Sequence, residues 1–219
     1  MKLVWSPETA TKAYIDTVKS CKVFHESGVA ELVSAMAAGW NARLVIETWA
    51  QGGPTATSVG LAVAAAHTGA KHVCLVPDEA SRSAYAESMR GHGLPPGDVV
   101  VGPTESAVGK LEGIDFLVAD CTQDDLAGML CAARLCERGA VIVCKNASSR
   151  ADLDSRWREA IGGERRRRIV RSVFLPVGKG LNIAHVGAMG GGSGEEKKKS
   201  RWVKHVDQRS GEEFVFRKY

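Results

Sequence analysis

The 219-residue sequence contains no run of eighteen apolar residues, which argues against a transmembrane helix. Its first residues, Met1-Lys2-Leu3-Val4-Trp5-Ser6-Pro7-Glu8, lack the apolar stretch of a signal peptide, so a secretory leader is not expected. No Cys-x-x-Cys pair occurs. The six cysteines (Cys21, Cys74, Cys121, Cys131, Cys136 and Cys144) are scattered, and four sit in apolar runs, where cysteine behaves as a small hydrophobe. That usage points to a reducing compartment, cytosol or nucleus, rather than to a disulfide framework. The phosphate-cradling Gly-x-x-x-x-Gly-Lys-[Ser/Thr] is absent, so a nucleoside triphosphatase is not supported. So is Gly-x-Ser-x-Gly, the serine nucleophile elbow.

No large excess of one charge is present either; the net charge is +4. Much of it falls in two clusters, Arg165–Arg168 and Lys197–Lys199, with no aromatic residue interleaved. A solvated strand edge and a solvated loop explain these better than a nucleic-acid surface does. The expected partner is a small molecule, with neither membrane nor nucleic acid involved.

What the chain does have is an ordinary globular composition, 44% hydrophobic and 25% charged, and enough length to bury a core. Ser6-Pro7 reads as a helix start, with Ser6 as N-cap and Pro7 at the first helical position, running to about Ser20. A second helix spans Gly28 to Ala38, with Val29, Leu32, Val33 and Met36 on one face and Gly39 as its terminating glycine. Strands and helices then alternate. Strands are expected at 43–47, 71–76, 99–101, 114–120 and 140–144, and helices at 55–67, 79–90 and 124–136. Continuous apolar strands between helices imply a doubly wound, mainly parallel, Rossmann-like α/β sheet. After Trp157 the pattern changes to strands without long helices, 168–175 and 181–186, which suggests an antiparallel pair completing the sheet. A Gly/Ser/Lys-rich flexible loop follows at 190–200, then a hairpin from Trp202–Val206 and Phe214–Phe216. The whole reads as one domain over 1–219: N-terminal helices to residue 40, a core from 41 to 150, and C-terminal strands from 165.

In such sheets ligands bind outside the carboxyl ends of the strands. The relevant segments are Glu47–Thr55, Pro77-Asp78-Glu79, Gly102–Glu105, Asp120-Cys121-Thr122 and Lys145-Asn146. The first joins a strand to a helix N-terminus through Gly52-Gly53, where a ligand can approach backbone N–H groups. Lys179 lies in a Gly-Lys-Gly turn, which explains it without an anion. His185 and His205 sit in apolar strand contexts, where histidines are usually packed.

Residues 26–147 resemble class I S-adenosylmethionine-dependent methyltransferases, especially the caffeoyl-coenzyme A O-methyltransferase type. Glu47-Thr48-Trp49-Ala50-Gln51-Gly52-Gly53-Pro54-Thr55 falls where that family has its Glu-x-Gly-x-x-x-Gly-x-Ser loop. Ile114–Asp120 is similar to its strand ending in acidic residues, and Cys144-Lys145-Asn146 to its Tyr-Asp-Asn strand end. The whole chain resembles a plant family of uncharacterised proteins assigned to the same fold. The resemblance implies S-adenosylmethionine as cofactor, held by Glu47, Trp49, Gly52, Gly53, Thr55, Asp78 and Asp120, with Asp120 and Lys145 facing the acceptor.

Three departures qualify it. Trp49 stands where the first glycine leaves a gap for the cofactor's amino acid portion, and an indole adds roughly 200 Å². If the indole turned away, the gap would stay open; if it filled the gap, the site would be closed. Pro77 takes the place of the ribose-binding acid, with Asp78 and Glu79 just after it. Lys145 replaces one of the carboxylates that hold a divalent cation in the catechol-methylating relatives, and an ammonium repels a dication, so no metal is expected. Lys145 could instead act as an electrostatic clamp or base, or form a structural ion pair with Asp120. Two functions follow: a metal-independent methyltransferase of unknown acceptor, or a non-catalytic descendant acting as a binding or scaffold protein.

Overall fold

Five apolar strands, each entering from the same end, build the floor on which the site rests. The computed structural model describes residues 5–21, 28–122, 126–147, 161 and 167–189, and the backbone of 202–206 and 213–217. The chain divides into two compact units, 1–189 and 190–219.

In the first unit, helices α1 (Pro7–Ser20) and α2 (Val29–Gly39) precede β1 (Leu44–Thr48), α3 (Ala56–Thr68), β2 (Lys71–Val76), α4 (Glu79–Gly91), β3 (Asp98–Val101) and α5 (Thr104–Val108). There follow β4 (Glu112–Ile114), β5 (Phe116–Asp120), α6 (Leu126–Ala132), β6 (Arg134–Leu135), β7 (Ala140–Lys145), β8 (Ile169–Leu175) and β9 (Leu181–Val186). Seven strands form one sheet in the order β3-β2-β1-β5-β7-β9-β8. The first five are mutually parallel, and β9 runs antiparallel to both β7 and β8. The expected Rossmann-like sheet is therefore present. Its antiparallel ending has the later strand inserted next to β7 and the earlier one at the edge. The second unit contains the expected hairpin as β10 (Trp202–Val206) and β11 (Glu213–Arg217), paired antiparallel. The 190–200 loop, the Lys197–Lys199 cluster, Arg165 and the side chain of His205 lie outside the described residues.

Both faces of the sheet are covered, as the unbroken apolar strands require. Val45, Phe116, Val118, Val141, Val143 and Ile183 pack beneath α1, α2 and α3, while Ile46, Leu117, Ile142 and Ala184 pack beneath α5 and α6. The small residues of α3 allow close helix contact. A Cβ at Gly60 would come within 2.6 Å of the Ala30 carbonyl oxygen, so α2 and α3 approach at a spacing only glycine permits. His185 packs its ring edge-on to Trp40, with centroids 6.0 Å apart, as expected of a strand histidine.

Three local expectations are corrected, and Ser6 keeps its expected place with a different bond. Ser6 is the N-cap residue of α1, but its hydroxyl bonds Thr9 Oγ1 at 2.7 Å rather than a backbone N–H. Gly39 ends α2 as its last helical residue; the left-handed residue is Asn41, at φ 52°, and the bare Cα of Gly39 makes room for the Trp5 ring. The strand expected over 114–120 is two strands. Asp115 interrupts it, because its buried carboxylate accepts the N–H groups of Arg43 (2.8 Å) and Leu44 (3.2 Å) and the Nε–H of Arg138 (2.7 Å). A buried carboxylate requires such donors, and meeting them turns the chain between β4 and β5. β4 then pairs with β6 in a separate two-stranded sheet, so the helix expected to reach Cys136 stops at Ala132. From the arginine cluster, Arg167 donates to the carbonyls of Leu135 (2.6 Å) and Cys136 (2.7 Å), a structural use of that charge. Among the described residues no helix is long and apolar enough to cross a membrane.

Candidate functional site

The parallel strands end together at Thr48, Val76, Val101, Asp120 and Lys145, and the loops leaving them form one edge of the sheet. Two neighbouring groups of side chains occupy that edge.

The first group surrounds Glu47, whose carboxylate is fully buried beneath the β1–α3 loop. Oε2 accepts the hydroxyl of Ser58 on α3 at 2.8 Å, and Oε1 accepts Tyr85 OH from α4 at 2.8 Å and faces His72 Nε2 of β2 at 3.0 Å. Burial alone would push this carboxyl up. The His72 hydrogen bond and charge, the Lys145 ammonium and the Tyr85 hydroxyl together hold it below the ordinary glutamate range, so it is an anion. The same anion, together with burial, pushes the thiol of Cys74 and the phenol of Tyr85 far up, so both stay protonated. Glu47 therefore supports the loop from below and has its oxygens occupied by protein donors. Among its partners, Ser58, His72 and Tyr85 were not singled out from sequence; only their shared dependence on a buried acid brings them together.

Above this group the loop is closed by Trp49. Its indole is 5% exposed, donates Nε1–H to the Gly53 carbonyl at 3.1 Å, and meets Tyr85 edge-on with centroids 5.4 Å apart. The Gly53 N–H turns back onto the Ala50 carbonyl at 2.9 Å. The indole thus lies beside Gly53 and inside the loop rather than turned away. Gly52 sits at the exposed tip in the left-handed region, φ 83°, with nothing within 4 Å of where a Cβ would be. Thr55 is buried at the N-cap of α3 and shares a hydrogen bond with Ser88 Oγ at 2.9 Å. Asp78 is exposed at the N-cap of α4, where Oδ1 accepts the Ser81 N–H at 2.7 Å, and that bond lowers its pKa.

The second group is Asp120, Lys145 and Asn146. Asp120 and Lys145 are register partners across β5 and β7. The ion pair expected between them does not form. Asn146, left-handed at φ 57°, swings its Nδ2 onto Asp120 Oδ2 at 2.7 Å, while Oδ1 accepts both the N–H (2.9 Å) and the hydroxyl (2.7 Å) of Thr122. With its oxygens so occupied, Asp120 draws no bond from Lys145, whose charge acts instead on Glu47. This donor set does not fit the divalent cation of the catechol-methylating type. One carboxylate position is an ammonium, and the surviving carboxylate is committed to neighbours. Among the described residues no group of three His, Cys, Asp or Glu side chains gathers in a way that could hold a metal ion.

A family model described as "Protein of unknown function (DUF1442)" matches residues 1–218. No curated protein matches the sequence. Among solved structures the chain is similar to a methyltransferase from Geobacter sulfurreducens, at 17% identity over 82% of this chain and 90% of that one, with a TM-score of 0.56. It is also similar to the SAH-bound methyltransferase PaMTH1 of Podospora anserina (16% identity, 82% and 88% covered, TM-score 0.56). A third is an O-methyltransferase from Bacillus cereus in complex with SAH (17% identity, 84% and 93% covered, TM-score 0.51). At these identities the likeness is one of fold, and it agrees with the class I methyltransferase-like sheet.

Proposed function

The chain belongs to the DUF1442 family of proteins of unknown function, and from that premise we propose that it binds S-adenosylmethionine and transfers a methyl group, without a metal, to a small-molecule acceptor. The observation that carries this reading is the β1–α3 loop. It leaves the middle one of the five parallel strands, turns at an open Gly52, and starts a helix over a buried, ionised Glu47. The SAH-bound relatives in the same fold support it.

In this reading the ligand approaches the loop at Gly52, where the backbone is bare. Asp78, at the exposed end of β2, keeps carboxylate capacity for ribose hydroxyls beyond the Ser81 N–H it already accepts. Thr55 and Trp49 fix the loop rather than touch the ligand, and Glu47 holds it from beneath. Asp120 and Lys145 border the acceptor side. The bound cofactor supplies an activated methyl on a sulfonium, so the protein's work is proximity and orientation.

One observation favours a second reading. The Trp49 indole packs against Gly53 rather than turning outward, and its bond to the Gly53 carbonyl tightens the loop. A closed loop suits a descendant that binds or scaffolds without transferring methyl groups, since fold alone does not confer activity. Calorimetry with S-adenosylmethionine and S-adenosylhomocysteine, first in EDTA and then with Mg²⁺, separates the two. Micromolar binding without metal supports the transferase. Absence of heat and of thermal stabilisation at millimolar ligand overturns it and leaves the binding or scaffold role.

A further inference from the structure

Lys145 brings a cationic side chain to a nearly buried strand end where no described acid pairs with it. It ends β7 at 7% exposure, and among the described residues its ammonium makes no hydrogen bond and no ion pair. The two acids nearest it by register and by charge are already engaged by other donors. Asp120 accepts from Asn146 and Thr122, and Glu47 accepts from Ser58 and Tyr85 and pairs with His72. The attraction between Lys145 and Glu47 acts through space and supplies no acceptor for the ammonium's three N–H donors. Those donors are left for solvent or a ligand to accept, and a ligand oxyanion would meet them where the rest of the side chain is buried. The position is the carboxyl end of a parallel strand, where ligands of such sheets bind.

We propose that Lys145 holds an oxyanion of the acceptor, so that the acceptor is an acid, bound as its carboxylate or phenolate, in place of one steered by a metal ion. The word "acceptor" rests on the reading above; the oxyanion site itself rests on Lys145. Chemistry and charge agree in this assignment. The acceptor oxygen contributes an electron pair to the methyl carbon as the carbon–sulfur bond breaks, and that bond's pair returns to sulfur. A cationic sulfonium and an anion become a neutral thioether and a neutral methyl ester or ether. No proton moves, so the site needs no general base.

The test uses the full chain with 13C at the lysine Cε, the Lys145 signal being assigned from Lys145→Arg and Lys145→Met. Formate is the smallest probe, benzoate and 4-nitrophenolate test the two acid classes, and formamide and benzamide are neutral controls at constant chloride. The expected result is a saturable shift of the Lys145 signal with formate and with one aromatic anion, and none with the amides. The tighter of benzoate and 4-nitrophenolate identifies carboxylate or phenolate. Because the wild-type protein is titrated, a poorly folded variant does not blunt the test. If S-adenosylhomocysteine binds by calorimetry but no anion moves the Lys145 signal, this inference is overturned and the transferase reading stands. If the anions bind and S-adenosylhomocysteine does not, the transferase reading falls and Lys145 remains an oxyanion site. If neither binds, both fall.

Discussion

Trp49 donates its indole N–H to the carbonyl of Gly53, four residues on, so the loop that leaves β1 is clasped by its own side chain. The same indole rests edge-on against Tyr85, which in turn bonds Glu47. Loop shape and buried charge are thereby linked through two aromatic rings.

Replacing Trp49 with Phe keeps most of the ring packing and removes the hydrogen bond, at a cost of about 1 kcal/mol. Trp49→Ala also leaves a cavity between α3 and α4, and the cost rises to about 3–5 kcal/mol. Urea unfolding of both variants measures the difference; equal losses would mean that the indole's bulk is not packed as described.

Tyr85→Phe removes one donor from a buried anion and is expected to destabilise by about 1.5–3 kcal/mol, more than a neutral hydrogen bond would. A double-mutant cycle of Tyr85→Ala with Trp49→Ala, which removes the ring contact, should show a non-zero coupling.

Glu47→Gln is expected to cost about 3 kcal/mol near neutral pH by removing the charge that its neighbours are arranged to meet. The sign of its pH dependence follows from the lowered carboxyl pKa. The unfolded chain titrates near the ordinary value of 4.5, and the folded protein titrates below it. The stabilisation is therefore complete above about pH 4.5 and is lost as pH falls through the lower folded value. The gap between wild type and Glu47→Gln should be flat above that pH and should shrink below it. A gap that widened on acidification would contradict an ionised Glu47.

The sequence displayed the strand–helix alternation because the parallel strands each carry a continuous apolar run, and the glycine-rich loop because Gly52-Gly53 follows the first of them. Less visible was anything decided by a single buried polar group at a distance. Nothing local marks Asp115 as a strand breaker; its donors come from Arg43, Leu44 and Arg138, far along the chain. Likewise Asp120 and Lys145 look like an ion pair in sequence, and only the left-handed turn at Asn146 shows which neighbour takes the carboxylate. The space beside Gly53 could not be judged from Trp49's presence alone, since an indole can point either way.

That turn is testable. Asn146→Gly keeps the left-handed backbone but loses the bond to Asp120, whereas Asn146→Ala loses both, so alanine should be the less stable variant by roughly 1 kcal/mol. Thermal unfolding of the pair reads this directly.

The placement of β9 between β7 and β8 has a consequence for synthesis on the ribosome. The parallel strands up to β7 emerge first, and β7, buried along its whole length in the finished protein, has no partner on its outer side until residues 181–186 have been made. During that interval the nascent chain carries a bare apolar strand edge of the kind that invites pairing with other chains. The last strand of the sheet to be made is therefore also the one that shields it, and a chain truncated before Leu181 should aggregate even though its five parallel strands are complete.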